Sequence, residues 1–366
     1  EERLDLAHLS AVEERFRAAY YWEPVDRPPI IISAPALAPF RVYPYREAFE
    51  DPRKMMVNEL VGPAMMFGAG SVSVVNSVMI KDDFPLQIRP NYGIGLIQSL
   101  IGAECQVPED KMTWVKPIGR ERLGEWVAAG PPRLEGGLFS RAIETMDFYH
   151  EMLSAYPKCR RAIRVTQPDQ QGPFDILAQL WGGEAFLAFY EEPDFLRAGL
   201  DMVCETYVQV CRELTKHATQ EGPADLIYLH FSFQRVACVL KDDSAVMLSP
   251  RTYAEFIRPA NAVVLTALGG GSIHWCGQAE QWRREFCETP GLLGLDMGQP
   301  YMVDLPAWKP LLQARRISVT NAPYPLSEWE ARRPAELFPT GSSFQVGVES
   351  LDQARRRLEK VYERAS

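Results

Sequence analysis

The hydrophobic pattern of this chain switches between a helical period and short apolar runs. Residues 5–20 place Leu6, Leu9, Val12 and Phe16 three or four apart, which predicts an amphipathic helix. Pro24, Pro28 and Pro29 then break the chain before Ile30-Ile31-Ile32, a short continuous apolar run that reads as a buried strand. Similar runs recur at Val72–Val75, Ala162–Thr166, Leu226–His230, Ser272–Trp275, Leu292–Asp296, Ile317–Thr320 and Phe344–Val346, which brings the number of predicted strands to eight. Helical periodicity fills most of the gaps, notably at 52–67, 184–220, 251–268, 278–287 and 350–364. The helix after 250 is well marked, with Ser249 as N-cap, Pro250 at the first helical position and Gly269-Gly270-Gly271 as its stop.

Strands alternating with helices predict an α/β fold with a parallel sheet, and eight of them predict a closed (β/α)8 TIM barrel. The expected organisation is an N-terminal helical extension at 1–26 followed by one barrel domain at 27–366. The stretch 77–161 after strand two exceeds a simple crossover. It holds β-like runs at Leu86–Arg89 and Gly95–Leu100 and a helix near 140–155, and is expected to cap the barrel mouth. The Pro- and aromatic-rich 321–342 segment reads as a long loop after strand seven.

Composition narrows the function. The net charge of −9 opposes a polyanionic partner, so nucleic acid is not expected. The densest basic run, Arg355-Arg356-Arg357, has Glu349, Asp352 and Glu359 nearby and reads as a solvated helix face. Seven cysteines without a CxxC pair predict reduced thiols and a cytoplasmic setting. No apolar run reaches the roughly 18 residues that span a bilayer, and the charged start Glu1-Glu2-Arg3 does not read as a secretory signal. There is no Walker loop, GxGxxG fingerprint or GxSxG elbow.

In such a barrel the active site lies at the C-terminal strand ends. Those positions hold Ser33, Asn76, Ser77, Asp169, Gln171, His230, His274, Cys276, Asp296, Asn321 and Glu349. His274 and Cys276 lie two apart in a strand, so an imidazole and a thiolate face the same way, and both are good zinc ligands. The competing reading is a core histidine and a buried thiol. His230 is open to three roles: third ligand, general acid or hydrogen-bonded core residue. Asp296 at a strand end favours function, while Asp175 can N-cap the helix after Gly172-Pro173-Phe174.

The segment Asp242 to Phe256, Pro259 and the turn His274-Trp275-Cys276-Gly277 resemble the uroporphyrinogen decarboxylase superfamily, which includes corrinoid- and coenzyme-M-linked methyltransferases. Pro44-Tyr45-Arg46 and Gln171-Gly172-Pro173-Phe174-Asp175 are weaker landmarks. The resemblance implies a (β/α)8 barrel, often homodimeric. The decarboxylase's arginine-rich N-terminal loop corresponds to Ser33–Tyr43, which with Arg46 holds few cations, and its strand-two aspartate falls at about Asn76 or Ser77. A tetrapyrrole with many carboxylates is therefore disfavoured.

The methyltransferase branch implies that His274 and Cys276 bind zinc, which activates a thiol or small-molecule acceptor for methyl transfer from a corrinoid on a partner protein. Its third ligand, a cysteine, is missing from Ser343-Phe344-Gln345-Val346, which leaves His230, Asp296 or Glu349. Two alternatives stand beside it. One is a decarboxylase or lyase acting on a less acidic substrate, with Asp296, Asp169 and His230 in acid/base roles and Arg46 holding a carboxylate. In that substrate site Asn76 and Gln171 would supply further polar contacts. The other is a non-catalytic binding protein on the same scaffold.

Overall fold

The computed structural model describes residues 1–35, 40–62, 72–107, 113–222, 225–229, 232–299, 302–324, 336 and 338–362. Its strands in chain order are β1 (Ile30–Ser33), β2 (Gln87–Ile88), β3 (Cys105–Gln106), β4 (Trp114–Val115), β5 (Arg164–Val165) and β6 (Ile227–Leu229). They continue as β7 (Ser232–Gln234), β8 (Val239–Lys241), β9 (Gly271–Trp275), β10 (Leu292–Met297), β11 (Ser318–Tyr324) and β12 (Ser342–Gly347). Six form one parallel sheet in the order β1-β12-β11-β10-β9-β8, and β2 pairs with β5 in a separate parallel ladder. At one edge of the sheet the Asp83 amide donates to the Ile30 carbonyl (2.9 Å), and at the other the Gly172 amide donates to the Lys241 carbonyl (2.8 Å). The segments around β2 and β5 are thereby tied to both edges.

Three sequence expectations are corrected. The Val72–Val75 run is not a strand: helix Val74–Ile80 starts there, with the Ser73 side chain accepting from the Asn76 amide. A short β-branched run is ambiguous, and here the serine N-cap decides it. The strand in this part of the chain is β2, inside the run Leu86–Arg89, while Gly95–Leu100 contains helix Leu96–Leu100. The Leu226–His230 run supplies β6, which pairs antiparallel with β7 outside the main sheet. The sheet edge next to β9 is β8, at the end of the apolar run Val236–Leu240 that competes with Leu226–His230 for this place in the sheet. By contrast, the helix after Ser249 begins as its signals predict, with Ser249 capping the Thr252 amide, and it passes through a π turn at Tyr253–Ile257.

Side-chain alternation sorts the sheet into two faces. Ile273 and Trp275 of β9 pack toward the covering helices, where the Trp275 ring stacks on Phe286 (4.8 Å) and Trp308 (5.6 Å). The opposite face carries Ser272 and His274 on β9, Gly294 and Asp296 on β10, and Ser318 and Thr320 on β11. At Gly294 a Cβ would lie 2.5 Å from the Ser272 Oγ, so a side chain there would displace that hydroxyl. Helix Leu6–Tyr20 lies across the N-terminal strand ends, burying Val12, Phe16 and Tyr20, with Phe16 5.2 Å from the Phe233 ring. Among the described residues no helix is long and apolar enough to cross a membrane.

Candidate metal centre

The C-terminal end of β9 brings the chemistry together. His274 and Cys276 share a face, and the Cys276 Sγ lies 3.5 Å from the His274 Nε2. Asp243, two residues beyond β8, approaches from the neighbouring strand, its Oδ1 3.7 Å from the same nitrogen. The donor atoms of Asp243, His274 and Cys276 all lie within 4.8 Å of one another. Tetrahedral zinc with bonds near 2.0–2.3 Å holds its donors roughly 3.3–3.8 Å apart, so both distances to the histidine already match. A carboxylate, an imidazole and a thiolate are a chemically suitable set, and three protein ligands leave one position open.

The other ring nitrogen is held as well. His274 Nδ1 lies 3.0 Å from the Asp296 Oδ2, and Asp296 is its register partner on β10 and buried. With the Nδ1 proton donated to Asp296, a metal that displaced the Nε2 proton would find that nitrogen facing Asp243 and Cys276. Burial disfavours a charged His274, but the charge and hydrogen bond of Asp296, together with Cys276, outweigh it and raise its pKa to about 10. Backbone contacts fix the turn: the Cys276 amide donates to the Asp243 Oδ1 (2.8 Å), and the Gly277 amide donates to the Gln299 side chain. At Gly298 a Cβ would sit 2.9 Å from the Cys276 sulfur, so a side chain there would displace the thiol.

Behind the cluster lie two buried carboxyl groups. Asp242 accepts from Tyr253, in the π turn, and from Asn261, at 2.9 and 2.6 Å. Desolvation, against the pull of Asn261 and Tyr253, raises its pKa to about 7. Asp175 accepts from the Ser244 amide (2.9 Å) rather than capping its own helix, and burial raises its pKa to about 8. Gly172 lets this segment approach β8 closely, since a Cβ there would lie 2.6 Å from the Lys241 carbonyl oxygen. Lys241, in register with His274, forms an ion pair with Asp169, and Arg89 lies 3.6 Å from the same carboxylate.

Of the residues expected from sequence, the structure brings His274, Cys276 and Asp296 together. Asp169 is engaged by Lys241 and Arg89, and Gln171 is buried on the segment leading to Gly172. Asn76 and Ser77 are buried in helix Val74–Ile80, not at a strand end, and the Asn76 side-chain Nδ2 donates to the Ala34 and Pro35 carbonyls. Arg46 is exposed and lies 3.8 Å from Glu50. Glu349 is exposed after β12 and is absent from the donor cluster, and His230 lies outside the described residues. Asp243 was missed as a ligand. Its signal is the abrupt charge of Lys241-Asp242-Asp243 after the apolar run Val236–Leu240, the mark of a buried strand ending at the site.

The whole chain has a structural counterpart. Its fold is similar to that of a methyltransferase from Methanosarcina mazei, with a TM-score of 0.68 and 15% identity over 97% of this chain and 99% of that one. No protein-family model and no curated protein sequence matches the chain. At this identity the likeness speaks for the fold.

Proposed function

We propose that this chain is a zinc-dependent methyltransferase on a closed (β/α)8 barrel, with Asp243, His274 and Cys276 as metal ligands. The donor cluster at the strand ends carries this reading, and the likeness to a solved methyltransferase supports it. Zinc bound there would lower the pKa of an acceptor thiol and present it as a thiolate. Asp296 holds the His274 tautomer, the Cys276 amide orients Asp243, and Asp169 neutralises Lys241 beside the site. The methyl donor on this reading is a corrinoid carried by a partner protein, and the acceptor is a small thiol.

The decarboxylase alternative asks Asp296 to act as an acid and Arg46 to hold a carboxylate. Asp296 is already spent on the imidazole, and Arg46 faces solvent beside Glu50. The test is to mix zinc-loaded protein with methylcobalamin and a panel of small thiols, following loss of the methyl–cobalt absorbance and formation of the thioether. Thioether formation that Cys276→Ala abolishes supports the proposal; zinc-loaded protein that transfers no methyl group to any thiol refutes it.

A further inference from the structure

We infer that a second site, at the opposite end of the sheet, binds a small amphipathic monocarboxylate. A cavity of about 540 Å³ opens there. Its wall includes Leu86, just before β2, Arg164 at the start of β5, and Leu6, Leu9 and Val12 of the N-terminal helix. These are N-terminal strand ends, whereas His274 and Cys276 lie at a C-terminal one, so the two sites are separate. The volume falls within the range of small-molecule pockets.

The cavity is two-sided in chemistry. Leu6, Leu9, Val12, Leu86 and Phe233 supply an apolar wall, and Arg160, Arg161 and Arg164 supply cations. Arg164 is the informative residue, with only 9% of its surface exposed. Its guanidinium lies over the Tyr228 ring at 5.2 Å, and its terminal nitrogens are 3.9 Å from Glu13 and 3.8 Å from Glu221. Both separations exceed a hydrogen bond. Its buried Nε has no hydrogen-bond partner.

A largely buried guanidinium whose terminal nitrogens hydrogen-bond neither Glu13 nor Glu221 is under-satisfied, and a carboxylate taken in a fork by those nitrogens is the partner that best completes it. Three arginines against Glu13 and Glu221 leave one positive charge in the lining. One negative charge balances that excess; a phosphate dianion overshoots it. The apolar wall then calls for a hydrocarbon tail on the same molecule.

This inference does not rest on the zinc reading and is tested apart from it. Octanoate is titrated calorimetrically into the full-length chain, beside octanol and inorganic phosphate. Octanoate is expected to bind, octanol about tenfold more weakly or worse, and phosphate not measurably. Arg164→Gln should weaken octanoate by about tenfold or more, while Cys276→Ala leaves it unchanged. No octanoate binding overturns the proposal, as does equal binding of octanol, tighter binding of phosphate, or binding indifferent to Arg164→Gln in a folded variant. The octanol comparison decides on the wild-type protein should Arg164→Gln fail to fold.

Discussion

At the floor of the sheet, Ser272 donates to Gln234 (2.6 Å), and the Tyr20 hydroxyl meets Ser343 (2.8 Å) and Ser232 (3.3 Å). One pleat further along β9, the same face carries His274, which meets Asp296, Asp243 and Cys276. Both layers are polar, but the floor is buried while the mouth leaves Cys276 exposed and Asp243 half-buried. The floor uses neutral hydroxyls and amides that pair with one another, an arrangement that contributes stability and little reactivity. The mouth gathers titratable groups and directs three of them at one point, which serves a metal better than it serves the fold. Substitutions at the floor should therefore register in unfolding, and those at the mouth in metal binding and pH response.

The largest expected effect tests the cost of burying acids behind the mouth. Asp175, at about 8, and Asp242, at about 7, both have folded-state pKa values raised above the ordinary carboxyl value of 3.8. A raised pKa means that the folded state holds the proton more tightly. The stabilisation is complete below pH about 4 and is lost as pH rises toward 8. Metal-free protein should lose on the order of a few kcal/mol of stability across that window. Asp175→Asn should reduce the slope in denaturant titrations at successive pH values, leaving the share of Asp242 and of the buried Asp82, whose pKa is likewise raised to about 7, and an unchanged slope contradicts the assignment.

A smaller effect is expected at the group that orients the imidazole. Asp296→Asn should weaken zinc binding by about 10–100-fold, since an outer-shell partner tunes a metal ligand without replacing it. A chelator competition titration reads this directly. If zinc affinity is indifferent to Asp296, the two-layer contrast fails at the mouth. Smallest is Tyr20→Phe, which removes the hydroxyl that meets Ser343 and Ser232. It should cost about 1 kcal/mol in unfolding free energy and leave zinc affinity where it was.

The mouth was partly legible in the sequence because strand alternation is strict. His274 and Cys276 two apart, after a glycine run, had to share a face once β9 was recognised. Asp243 was hidden because two apolar runs lie close together, Leu226–Leu229 and Val236–Leu240, and local pattern does not say which of them joins the main sheet beside β9. Asp296 was visible as a strand-end carboxylate, but its task of holding Nδ1 depends on the register between β9 and β10, which no local pattern encodes. The strand expected at Val72–Val75 failed for a local reason: β-branched residues suit either element when the run is this short, and Ser73 tips it to helix.

The most direct test of the central claim is zinc content, measured by elemental analysis on wild type, Cys276→Ala and Asp243→Ala purified side by side, each checked for folding by circular dichroism. The account predicts about one zinc per wild-type chain and a large loss in both folded variants. Zinc retained in both variants, or a wild-type chain that takes up none when zinc is supplied, contradicts it.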